Sequence, residues 1–110
     1  MDITITSPRH LQDLINLVHD LWFDVDQIEF DREQKILSFQ IQIKGGGEIC
    51  RRLRIRHVLD VKVNDTEKVG QYDINEVRFD AATKTITITG GVPIEIKVFV
   101  DAFELQIDDK

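Results

Sequence analysis

The chain is short of cysteine, of histidine and of basic charge, and each shortage closes off a class of function. A lone cysteine, Cys50, excludes an intramolecular disulfide and fits a reducing compartment. Three histidines, that one cysteine and scattered carboxylates do not assemble into a complete catalytic set. With 14 Lys+Arg against 20 Asp+Glu the net charge is −6, which favours solubility and opposes general affinity for nucleic acid. No apolar run approaches the length of a membrane span. Met1-Asp2-Ile3-Thr4 carries neither the basic segment nor the apolar stretch of a secretion signal. The expectation is a soluble cytoplasmic protein with no membrane partner.

What is present suffices for one core. A chain of 110 residues, 42% hydrophobic and 31% charged, has the composition of a single folded domain spanning 1–110. It buries roughly two-thirds of its unfolded surface, so neither a metal nor a disulfide is needed to hold it together, and no cofactor is expected.

The strongest pattern is an internal repeat, 23–63 and 72–108. At an offset of 49 residues Asp24, Phe30, Asp31 and Lys35 meet Asp73, Phe79, Asp80 and Lys84. Each copy reads as a β-hairpin whose loop, 31–35 or 80–84, opens on an aspartate able to bond the turn's own backbone. Beyond each loop the alternation is strict. Leu37, Phe39, Ile41 and Ile43 face one way and Ser38, Gln40, Gln42 and Lys44 the other, and Ile86 and Ile88 alternate with Thr85, Thr87 and Thr89. Glycine turns follow at Gly45-Gly46-Gly47 and Gly90-Gly91, where the offset falls to 45, an even change that keeps side chains on their faces.

A long third segment ends each copy. Ile49, Leu53, Ile55, Leu59, Val61 and Val63 share one parity. In the second copy Ile94, Ile96, Val98 and Val100 hold one phase and Phe103, Leu105 and Ile107 the other, which implies a bulge near Asp101-Ala102. Ahead of the repeat, Ser7 as N-cap and Pro8 at the first helical position open a helix over 7–22. Its apolar stripe is Leu11, Leu14, Ile15, Val18, Leu21 and Trp22. Residues 2–6 suggest an edge strand and 64–71 a linker. The expected fold class is mainly β (α+β): an N-terminal helix packed on a duplicated antiparallel β-meander, related by a pseudo-twofold axis and forming a small sandwich or partly open barrel.

Candidate chemistry is sparse. Arg52, Arg54 and Arg56 line one strand face at period two, suited to cross-strand pairing with Asp or Glu, to a protein partner, or to phosphate. Arg51 has apolar parity and is expected to snorkel. His57 shares the parity of Ile55 and Leu59, so it is either an inward ligand or base, a core histidine, or a rim residue. His19-Asp20 pairs a helix-end histidine with a solvated aspartate and lacks the further ligands of a metal phosphohydrolase. Asp24-Val25-Asp26 sits where the apolar phase slips in both copies, a turn rather than a calcium loop. The triple glycine is followed by a strand, not a helix, so it is no phosphate cradle. Cys50 has arginine neighbours but no base to make it a nucleophile.

At LVHDLWFDVDQIEFD, Leu17 to Asp31, the chain resembles small bacterial domains of uncharacterised function, of the immunity-protein-like type. The shared features are a His-Asp near the end of the first helix and a following meander. The resemblance implies protein binding and supplies no catalytic residue. The expected function is a non-enzymatic bacterial protein-interaction module, binding an unknown protein or itself, with Arg52, Arg54 and Arg56 as its surface. The alternative is a small-ligand or metal-binding site near His57, His19 and Asp20. Anion or single-stranded nucleic-acid binding along the arginines ranks third.

Overall fold

In the computed structural model, residues 3–42 and 50–109 are described and form eleven strands and one α-helix. In chain order these are β1 (Ile3–Ile5), α1 (Leu11–Val18), β2 (Trp22–Asp24), β3 (Glu29–Asp31), β4 (Ile36–Gln42), β5 (Cys50–Ile55) and β6 (Val58–Asn64). There follow β7 (Gln71–Asp73), β8 (Glu76–Asp80), β9 (Thr85–Thr89), β10 (Glu95–Val100) and β11 (Leu105–Asp109). The expected turn at Gly45-Gly46-Gly47 lies outside the described residues, as do Ile43, Lys44, Ile49 and the Cys50 side chain. Two antiparallel sheets result. The larger runs β1-β11-β5-β4-β2-β7, with β3 also on β4, and the smaller runs β6-β10-β9-β8. They are not closed into a barrel.

A single bent ribbon joins the sheets. β5 pairs β11 from Arg51↔Asp109 to Ile55↔Leu105, and β6 pairs β10 from Val58↔Val100 to Asn64↔Glu95. Between these ladders the Arg56 N–H donates to the Glu104 carbonyl and the Asp101 N–H to the His57 carbonyl, both at 3.0 Å. Leu53, Ile55, Val61 and Val63 share the expected parity, and the bend takes Leu59 out of it. The strand stops at Ile55, His57 takes a left-handed φ of 60° and the phase slips by one. Val58 is therefore buried and Leu59 is 51% exposed. A register shift at Leu59, between Val58↔Val100 and Asp60↔Phe99, then returns Val61 and Val63 to the parity of Leu53 and Ile55. His57 lies exposed at the bend, not inward beside Ile55. The slip expected near Asp101-Ala102 falls between β10 and β11, with Val98, Val100, Leu105 and Ile107 all buried around it.

Register sets the core. On the inner face of the larger sheet the rows are Leu37–Ile55–Leu105–Ile5 and Phe39–Leu53–Ile107–Ile3. In the smaller sheet they are Phe79–Ile86–Val98–Val61 and Val77–Ile88–Ile96–Val63. Ile55 thus stands opposite Leu37 and Val98 opposite Ile86. Phe23 faces Tyr72 directly across β2 and β7, and the Phe23 ring stacks tilted on Phe39 at 5.0 Å. Both Phe23 and Tyr72 are buried, so the half-buried Trp22 is left at the margin of this cluster.

The loops follow from their residues. Asp31 Oδ1 accepts the N–H groups of Glu33 and Gln34, and Asp80 Oδ1 those of Ala82 and Thr83. Each loop closes on a left-handed lysine, Lys35 (φ 59°) and Lys84 (φ 51°). At the phase slip after β2, Asp24 accepts the Asp26 N–H at 2.9 Å and caps a 3-10 turn over Val25–Gln27. Gly90 is required by a close approach: a Cβ there would lie 2.6 Å from the Asp73 carbonyl.

The helix is shorter than its apolar stripe. Pro8–His10 form a 3-10 turn and Ser7 makes no side-chain cap. The helix then ends at Val18, because His19 leaves it with ψ 133° and Asp20 is left-handed at φ 69°. Leu21 and Trp22 consequently leave the helix, and Trp22 opens β2. Leu11, Leu14 and Val18 bury one face; α1 packs on β8 and forms a groove with β1.

The linker 65–70 is pinned by the chain's one tyrosine. The Tyr72 hydroxyl donates to Asp65 and accepts the Val69 N–H at 3.1 Å, while Asp65 also accepts the Lys68 N–H. Burial first, then the bonded Asp65 carboxylate, pushes the phenol above its ordinary pKa of 10.0. The folded protein therefore holds this proton more tightly than the unfolded chain. That contribution to stability is complete below about pH 10 and is lost as pH rises through the folded value.

Two predictions follow from the backbone and the phenol. Lys84→Gly relieves a left-handed Cβ and stabilises the fold by about 0.5 kcal/mol after the glycine's entropy is counted, whereas Asp80→Ala destabilises it by about 1 kcal/mol, both read from urea unfolding. Tyr72→Phe lowers the melting temperature at neutral pH and flattens the decline in stability above about pH 10, followed by thermal unfolding across pH.

Candidate interaction surface

β5 is built to show arginine on one side. Alternation sends Leu53 and Ile55 inward, so Arg52 and Arg54 stand on the outer face of the larger sheet, and Arg56 follows just past the strand end. Arg51 falls on the core-facing parity between Ile41 and Asp109, half-buried where the rows end. The neighbours are set by register: Gln40 and Asp108 flank Arg52, and Ser38 and Gln106 flank Arg54.

The expected carboxylate partners are there. Arg52 meets Glu29 at 3.5 Å, Arg54 pairs with Asp108, and Arg56 meets Glu104 at 3.4 Å. Gln106 ties them together, accepting from Arg56 at 3.0 Å and donating to Asp108 at 2.9 Å. The result is a chain of contacts, Glu104–Arg56–Gln106–Asp108–Arg54, along one face. These arginine side chains keep only 22%, 33% and 36% exposure, so each is laid down on the sheet. An isolated surface pair contributes little, but shared partners spread the cost of ordering each side chain. A depression lined by Asp26, Gln27, Glu29, Gln40 and Arg52 continues the face past β4.

The partners Glu104, Gln106 and Asp108 had a signal in the sequence, since they alternate with Leu105 and Ile107. What sequence lacked was the strand order that sets β11 beside β5.

Each histidine stands beside a different carboxylate. His57 Nε2 lies 3.2 Å from Glu104 Oε1 at the ribbon bend, its side chain 46% exposed. His19 caps the C-terminus of α1 and lies 3.2 Å from Asp20, whose N–H donates to the Ile74 carbonyl. His10 is 3.7 Å from Asp13 on the first turn of α1. Among the described residues no three His, Cys, Asp or Glu side chains are grouped to hold a metal ion. No helix among them is long and apolar enough to cross a membrane.

The arginine chain predicts measurable coupling. In a double-mutant cycle on Arg54→Ala and Asp108→Ala, the interaction term is about 0.5 to 1 kcal/mol at low salt and shrinks as salt is added. Urea unfolding of the four proteins reads it.

Comparison with known proteins leaves the chain standing on these features: no family model, no curated protein and no solved structure matches it.

Proposed function

We propose that this chain is a non-enzymatic protein-interaction module that binds a partner protein through the outer face of its larger sheet. The observation that carries the reading is the stripe Arg52, Arg54 and Arg56, held flat by Glu29, Asp108 and Glu104 and interleaved with Gln40 and Gln106. Guanidinium groups already ordered lose little rotamer freedom on binding, and planar forks suit carboxylates and main-chain carbonyls across an interface. Because each arginine already has a carboxylate beside it, and the net charge is −6, the face suits a mixed-charge protein surface better than a polyphosphate. The likeness of residues 17–31 to bacterial immunity-type domains points the same way. In this reading the halves 23–63 and 72–108 are a duplicated unit, and the protein works in the cytoplasm.

The test has two arms. Thermal unfolding against divalent metals, phosphates, nucleotides and sugars stays flat. A true ligand at a hundredfold its dissociation constant would add about 2.7 kcal/mol, worth roughly ten degrees in so small a domain, and such a shift abolished by His57→Ala would replace this reading with a ligand site. In the second arm the protein and an Arg52→Ser, Arg54→Ser, Arg56→Ser variant serve as paired baits. A partner retained equally by both removes this face from the proposal.

A further inference from the structure

The two sheets are finished differently at matched positions. In the larger sheet β11 lies across the outer side of β5, and in the smaller β6 lies across the outer side of β10. β1 covers the far edge of β11, with Ile3 opposite Ile107 and Ile5 opposite Leu105, and both core residues are fully buried. Among the described residues no strand lies beyond β6. The inner rows of the smaller sheet therefore end on Val61 and Val63, and Val63 is 43% exposed. β6 leaves a row of main-chain donors and acceptors open to pairing, regular over Asp60–Asn64 and interrupted at Leu59, where its register with β10 shifts.

We propose that β6 pairs antiparallel with β6 of a second copy, about a twofold axis at Val61, joining the two smaller sheets into one. Register and charge select this arrangement. A continuous apolar face needs residues of like face opposite one another, so the axis must fall on a residue. Centred on Asp60 or Lys62, the pairing sets like charge directly against like charge. Centred on Val61, it sets Asp60 against Lys62 twice, with Leu59, at the register shift of β6, beyond this regular stretch.

The single chain also leaves these charges poorly served. Lys62 stands directly opposite Lys97 within the sheet, and among the described residues Asp60 reaches Arg32, at 3.9 Å with both side chains more than half exposed. Asp60 of a second copy would flank Lys62 on its other side. A lysine in the middle of an edge strand ordinarily discourages pairing. Here the aspartate two residues earlier makes it a marker of one register. This surface is separate from the arginine face, and neither proposal rests on the other.

Sedimentation across roughly 1 µM to 1 mM tests it. The unmodified chain forms a reversible dimer. Asp60→Lys and Lys62→Asp each weaken self-association by about tenfold or more, because each sets like charges opposite one another twice. Mixed in equal amounts, the two variants pair with each other at least as tightly as the unmodified chain does with itself. Lys62→Asp also removes the Lys62–Lys97 opposition, so an unchanged or raised melting temperature shows that the lost dimer is not lost folding. A chain monomeric throughout, a dimer indifferent to both substitutions, or a mixture that fails to associate overturns the proposal.

Discussion

Segments 50–64 and 95–109 stay paired while both leave one sheet and enter the other, and most of the architecture depends on that pairing surviving the bend. An unpaired buried backbone group costs about 1 to 3 kcal/mol, so a strand cannot simply break off at a sheet edge. Here the bonds continue through the corner: Arg56 to Glu104, then Asp101 to His57. One left-handed residue, His57, turns the plane of one strand, and the span 101–104 loosens the other. Because both sheets contain a leg of this ribbon, their inner faces are held against each other, and the rows of Leu, Ile, Val and Phe close between them.

The ribbon also decides what the outer surfaces are. By bringing β11 beside β5 it lays Glu104, Gln106 and Asp108 against Arg54 and Arg56, and so converts a stripe of like charge into an ordered network. Three arginines alternating on an isolated strand would repel one another. Next to their carboxylates they form a flat face in which guanidinium, carboxylate and amide alternate. The arginines are held flat on the sheet by shared carboxylate and amide partners.

The remaining asymmetry comes from the N-terminal segment. β1 and α1 lie outside the ribbon: β1 caps the edge of β11 and α1 packs on β8. Only one of the two matched edges receives a strand. The other, β6, has no strand beyond it among the described residues and leaves Val61 and Val63 only partly covered.

Local chemistry was legible from residues alone wherever a side chain acts within a few positions of itself. Asp31 and Asp80 as turn-formers, the phase slip after Asp24, the alternation of β4 and β9 and the slip before Leu105 all rest on short-range sterics and hydrogen bonds. Helix length was less legible, because Leu21 and Trp22 continue the stripe although the backbone has already turned at His19. Sheet order, by contrast, depends on which distant segments meet. Nothing local distinguishes Ile55, inside one sheet, from Leu59, beyond the bend and facing solvent. Sequence by itself determined which residues alternate and where the chain turns, since those follow from each residue's own geometry. Tertiary structure alone decided which carboxylates reach the arginines, that His57 faces water beside Glu104, and which edge is left open, because each is a contact between segments brought together only by folding.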